Sequence, residues 1–436
     1  MEIWGRIGPL QGDAGWTDNR RVTICNPFLL SGAPEPALSA AVSLDRASKP
    51  GYTRVQEVFM LIRRALPLLF GAACLPVWCG DWNPKLAEQY LDSRQKAWVA
   101  WPTAMASGVA CVSCHTGLPY LVARPALRHA LNETNGPTLY EGLLLSSMRA
   151  TVTRTDANDL FKGLKSPLSD QVYGAQVVLS ALVLAMDDAQ RGRLSPETEV
   201  SLKRMWTTQV HAGDDKGAWQ WSNFDLDPWE TKEAVYFGAA LSALATGIAP
   251  DAYQARPEIQ DNIAEMRTYL RGGLKSQPLH DRLFVLMASA KLHNLLTDAE
   301  RKAIVEEVRK TQQADGGWTL ESLGQWKKRE KAPVSVGSNS YATAVVAYTL
   351  QSAGESASGS LARGLEWLRT HQDAESGRWI AESMNHPHDA GSMAALFMSD
   401  AATGYATAAL LAAEPVKPQH GRPTAKVSAA GEARNP

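Results

Sequence analysis

Cys111-Val112-Ser113-Cys114-His115 is the stretch of this chain whose residue types and spacing most directly name a chemistry. Two thiols three positions apart can add to the two vinyl groups of one porphyrin. A histidine next to the second thiol then lies under the macrocycle and offers an imidazole nitrogen to iron. The spacing therefore predicts one covalent haem c, attached through Cys111 and Cys114 with His115 as an axial metal ligand. Arg124 and Arg128, four apart on one face of a helical segment, are placed to pair with the haem propionates. The sixth iron position stays open among Met384, His386, His388, Met393 and Met398, with Met398 carried forward as the metal ligand. A methionine or second histidine there would make an electron carrier, and an empty position would permit chemistry on a small molecule. Three other readings of the motif remain: a zinc site, which needs about four ligands; a redox Cys-x-x-Cys, which would suit a thioredoxin-like context; and a disulfide across two residues.

The remaining cysteines bear on where this chemistry takes place. Cys25, Cys74 and Cys79 all precede the motif. Residues 1–59 are rich in Pro, Gly and Ser and show no period, and read as an extension upstream of the real start at Met60. From Met60 the chain runs through Arg63-Arg64, an apolar core over 65–78 and a polar exit at Gly80-Asp81. That order is expected of a secretory signal, and the run is short for a membrane span. Residues 60–80 would thus be a signal peptide or a retained membrane anchor, and the protein periplasmic or otherwise extracytoplasmic. With the signal removed, only the two motif cysteines remain, and haem c attachment outside the cytoplasm agrees with export.

Composition excludes one class of partner. The formal net charge over 436 residues is -1 and no basic block stands out, so no nucleic-acid partner is expected. With 45% hydrophobic residues the chain can bury a large core. Residues 416–436, rich in Pro, Ala and Gly, read as a disordered tail.

The elements that must position the motif are helices. Tyr173-Gly174-Ala175, Tyr236-Phe237-Gly238, Tyr341-Ala342-Thr343-Ala344 and Tyr405-Ala406-Thr407-Ala408 each lead into an apolar, small-residue-rich helix, and another apolar helix over 282–292 divides the long interval. Helices apolar on most sides are expected to be inner ones. More amphipathic stretches, such as 299–312 and 360–370, lie between them. A second phrase precedes several inner helices: Gln313-Ala314-Asp315-Gly316-Gly317-Trp318, then Gln372 through Gly377-Arg378-Trp379, with a looser copy from Gln209 to Gly217-Ala218-Trp219. A glutamine closing a helix, a glycine turn and a packing tryptophan would fasten an outer helix to the next inner one.

These phrases resemble the QW repeats of squalene–hopene and oxidosqualene cyclases, best over 205–415. The resemblance implies an all-α (α/α)6 toroid, in which inner helices surround an apolar cavity. Six hairpins of about 55–60 residues would account for residues 80–415. The haem motif falls in an N-terminal haem-binding segment, 81–135, ahead of a toroid over 136–415.

The family's Asp-x-Asp-Asp acid is absent. Asp225-Leu226-Asp227-Pro228 comes nearest, Asp187-Asp188 ends an inner helix, and Asp400 opens one as the lone acid in a suitable place. Three functions follow. The first is an exported haem protein that transfers electrons to a redox partner protein or oxidises a hydrophobic ligand. The second is an isoprenoid cyclase or isomerase with Asp400 as catalytic acid. The third is a non-catalytic module stapled by haem.

Overall fold

The computed structural model describes residues 82–106, 109–153, 166–356 and 359–413. The expectations for residues 1–59, 60–80 and 416–436 lie outside the described residues. Among the described residues, twelve α-helices alternate between two roles. The outer set is α1 (Pro84–Ala100), α3 (Leu139–Thr153), α5 (Pro196–Thr207), α7 (Gln260–Gly273), α9 (Asp298–Thr311) and α11 (Ser360–Thr370). The inner set is α2 (Gly117–Ala130), α4 (Leu168–Arg191), α6 (Val235–Ile248), α8 (Leu279–Ser289), α10 (Ser340–Ser352) and α12 (Phe397–Ala413). Each inner helix packs on the next, and α12 packs on α2, so the inner set closes into a ring with the outer helices around it.

Sequence explains the two roles. Inner helices are buried nearly all round, from Tyr236 to Thr246 in α6 and from Phe397 to Leu410 in α12, as their Ala-rich composition requires. Outer helices bury one stripe, such as Ile263, Met266 and Leu270 in α7. Caps set their starts. Asn83 accepts from the Lys85 and Leu86 amides with Pro84 at the first position, and Thr297 and Glu300 form a reciprocal capping box.

The Gln–Gly–Trp turns hold outer helices in place by one repeated set of bonds. Gln209 Nε2 donates to Gly217 O (3.1 Å) and to Asn262 O on α7 (3.0 Å). Gln312 Nε2 donates to Gly316 O and to Ser360 O on α11 (both 2.7 Å). Gln372 Nε2 donates to Gly377 O (2.8 Å) and to Asn83 O at the start of α1 (3.1 Å). The indole N–H groups of Trp219, Trp318 and Trp379 each donate to a carbonyl of the preceding outer helix: Met205, Val308 and Leu368. The third turn joins the last hairpin to the first and so closes the ring.

Four expectations change. The bridging glutamine of the middle turn is Gln312, because Gln313 donates back to Thr311 O instead. Thr343 and Thr403 are equivalent, each accepting from the amide of its repeat tryptophan (3.0 Å). Tyr405 therefore lies a turn deeper in its helix than Tyr341 does in its own. Residues 84–130 are not a segment ahead of the toroid; α1 and α2 are its first hairpin. A two-stranded antiparallel pair, β1 (Met105–Ala106) and β2 (Val109–Ala110), interrupts the helices just before the motif.

Candidate functional site

The cysteine–histidine motif sits in the connection from α1 to α2, at the N-terminal rim of the ring. Ser113 Oγ accepts from the amides of Thr116 (3.1 Å) and Gly117 (3.0 Å) and so starts α2. Trp98 donates to Cys111 O (2.8 Å). The imidazole of His115 stacks on Phe397, with centroids 3.7 Å apart, and meets Trp98 edge-on at 5.3 Å. Its Nδ1 lies 2.9 Å from Thr116 Oγ1. Burial, assisted by the Arg94 charge, lowers its pKa to about 3, so the ring is neutral.

The two thiols have different fates. Cys111 is disulfide-bonded, whereas Cys114 is a buried free thiol, so they are not joined to each other. A sulfur already in a disulfide is not available for a thioether. Phe397 also covers one face of the imidazole that would stand under the macrocycle. The arginines expected at the propionates are committed elsewhere: Arg124 to Asp92 (3.0 Å) and Glu133 (2.8 Å), and Arg128 to Glu141 (3.2 Å). Met398 is buried in the core at the start of α12, and Met393 accepts from Arg94 (3.3 Å). No cluster of three or more histidine, cysteine or acidic side chains able to hold a metal occurs among the described residues. These residues, as folded, do not fit a haem bonded through both thiols.

Asp400 is an anchor. It is 1% exposed. Oδ1 accepts from Tyr90 OH (2.7 Å) and Arg94 Nε (2.8 Å), and Oδ2 accepts from Thr116 Oγ1 (2.7 Å). Both oxygens are engaged, which ties α1 and the motif loop to α12. The other acids are tied as well. Asp225 pairs with Lys327 and Arg329, Asp227 accepts from the Lys327 amide (3.2 Å), Asp187 pairs with Arg149, and Asp188 accepts from Ser195.

Sequence reasoning missed a second polar cluster, at the start of α8 and α10. His280 is fully buried; its Nδ1 lies 2.6 Å from Asp281 Oδ1 and its Nε2 lies 2.7 Å from Tyr341 OH. The Trp229 indole can only donate, and does so to the Tyr341 oxygen at 3.0 Å. That leaves the phenol proton free to point at His280 Nε2. Burial raises the Asp281 pKa, and burial with Tyr405 nearby raises that of Tyr341 well above the usual phenol value. The signal available was a His-Asp pair beginning an apolar run. A helix expected to start at 282 left that pair outside it.

Below this cluster lies the axial cavity. Its wall includes Leu118, Leu182, Leu241, Phe284, Tyr348 and Tyr405, one residue from each inner helix. The cavity is about 110 Å³, and Lys291 and Ser352, at the C-terminal ends of α8 and α10, line it as well. Phe284 stands between cavity and relay: it lines the former, and its ring centroid is 5.3 Å from His280. The wall takes one residue from every inner helix and is aromatic on one side.

Residues 279–417, from α8 through α12, match the family described as squalene-hopene cyclase C-terminal domain. No curated protein matches the chain. This part of the ring is terpenoid-cyclase-like, in agreement with the resemblance carried by its Gln–Gly–Trp turns.

Proposed function

We propose that the toroid binds an isoprenoid-class molecule in its axial cavity and moves a proton to or from it at the end occupied by Asp281, His280 and Tyr341. The observation that carries this is the hydrogen-bonded chain Asp281–His280–Tyr341 one ring layer from an apolar cavity. Tyr341 is the end of the relay away from Asp281, and a ligand would reach it past Phe284. When its oxygen takes a proton from the ligand, its own proton passes to His280 Nε2. The imidazolium so formed is stabilised by Asp281, whose burial makes it a poor resident of this site unless a positive charge appears beside it. The faces of Phe284, Tyr348 and Tyr405 would favour positive charge developing on the ligand. With both Asp400 oxygens held, the lone acid of the cyclase reading moves from Asp400 to this relay.

Export enters the same reading by a new route. A disulfide at Cys111 persists in an oxidising compartment, so we place the protein outside the cytoplasm. Electron transfer through a haem has no support from the way the motif folds.

Solvent extraction of the protein from its native host, with mass spectrometry of the extract, should recover an isoprenoid lipid. Incubating that lipid with the protein in heavy water should incorporate deuterium into it. His280→Gln should slow the incorporation by about 10²–10⁴-fold while leaving binding intact. Equal incorporation by the variant would defeat the relay.

A further inference from the structure

Tyr405 carries the polar atom that the fold leaves without a partner. The residue is 1% exposed, on the cavity wall, halfway along the inner helix α12. Its hydroxyl finds no hydrogen-bond partner among the described residues. Its neighbours are aromatic: Tyr348 with centroids at 5.3 Å and Phe284 at 6.2 Å. The comparison with Tyr348 is informative, because that phenol lines the same cavity and is not among the buried polar groups left unpartnered.

A buried hydroxyl without an acceptor is costly, and a phenylalanine would fill the same space without that cost. The hydroxyl is therefore worth keeping only if the occupant of the cavity answers it. A phenol is at once donor and acceptor, and its ring neighbours Tyr348 and Phe284 leave the hydroxyl unanswered. The strong unfilled capacity at this point of the wall is a donated O–H, which calls for an oxygen acceptor on the ligand.

Resting on the proposed ligand-binding reading, we infer that the cavity's ligand is an oxygenated isoprenoid, bearing a carbonyl, hydroxyl or ether oxygen on an otherwise apolar skeleton, and that Tyr405 recognises this oxygen. Tyr405 is then the residue that selects oxygenated ligands over hydrocarbons, and it holds the oxygen-bearing end toward the Tyr341 relay.

The test uses two probes of matched skeleton, farnesal and farnesene, titrated against the full chain by tryptophan fluorescence. The wild-type protein should bind farnesal about tenfold more tightly than farnesene. Tyr405→Phe should lose that preference, keep its affinity for farnesene, and melt no lower than wild type, since it discards an unanswered hydroxyl. Tyr348→Phe should keep the preference. Equal binding of both probes by the wild type, or a preference that survives Tyr405→Phe, overturns the role of Tyr405 and leaves the cavity reading standing. Failure of the wild type to bind either probe overturns the cavity reading itself.

Discussion

At the scale of single residues, the motif histidine illustrates how environment decides a side chain's chemistry. His115 is a neutral packing ring. Phe397 covers it, Thr116 satisfies Nδ1, and Thr116 in turn donates to Asp400. Its pKa falls from 6.5 in the unfolded chain to about 3 in the fold, so the fold rejects a proton that the unfolded chain accepts. The stability that comes from keeping it neutral is complete above pH 6.5 and is lost as pH falls from 6.5 toward 3. The loss approaches about 1.4 kcal/mol per pH unit. Denaturant unfolding between pH 6.5 and 5, above most carboxylate titration, should show this slope in the wild type and a shallower one in His115→Phe. Parallel pH profiles for the two proteins would contradict the assignment. His115 and His280 are both buried and both flanked by aromatic rings. Only His280 has a carboxylate on one nitrogen and a phenol on the other, which is why proton transfer is assigned to it.

At the scale of elements, the turns do more than connect. Gly217, Gly316 and Gly377 all have positive φ, and a Cβ on each would run into a backbone carbonyl of the next outer helix: Glu265, Arg363 or Leu86. The glycines thus serve both the left-handed backbone and the close approach of two helices. Gly354, also at positive φ, has nothing near its absent Cβ. Gly354→Ala should therefore cost about 1 kcal/mol, the backbone term alone, whereas Gly377→Ala should cost about 2 kcal/mol or more, because it also separates α11–α12 from α1. Thermal unfolding of the two variants measures the difference, and equal melting would remove the ring-closing role of that turn. A sequence pattern was enough to find these turns, since Gln, Gly and Trp recur in that order with Gly two positions before Trp each time. Choosing Gln312 over Gln313 required knowing which amide reaches Ser360.

At the scale of the whole molecule, ring closure joins residues far apart in sequence. Tyr90 and Arg94 meet Asp400, and Asn83 meets Gln372. The cysteine–histidine motif lies on this seam, so its sulfur chemistry bears on the stability of the ring. Protein exported by a host that carries haem-maturation machinery should be colourless, with an intact mass equal to the bare polypeptide. Reductant, or Cys111→Ser, should lower stability by about 2–4 kcal/mol, and Cys114→Ala should keep the full response to reductant, because Cys114 lies outside the disulfide. A covalent haem adduct in the mass spectrum would reverse the reading of the motif.

Local pattern alone established that the chain is helical, that apolar and amphipathic helices alternate, and that tryptophan turns join them; the six-hairpin ring was implied by the family resemblance. The first three are consequences of period and turn chemistry, which act over a few residues. Function depended on contacts that local pattern does not encode. Whether Asp400 is an acid or an anchor was decided by Tyr90 and Arg94, three hundred positions away. Whether Cys111 and Cys114 form a pair was decided by the disulfide at one and the burial of the other. The relay from Asp281 through His280 to Tyr341 exists because two inner helices start side by side around a closed ring. A side chain's proton affinity and bonding are set by everything that surrounds it, and in a toroid most of what surrounds it comes from elsewhere in the chain.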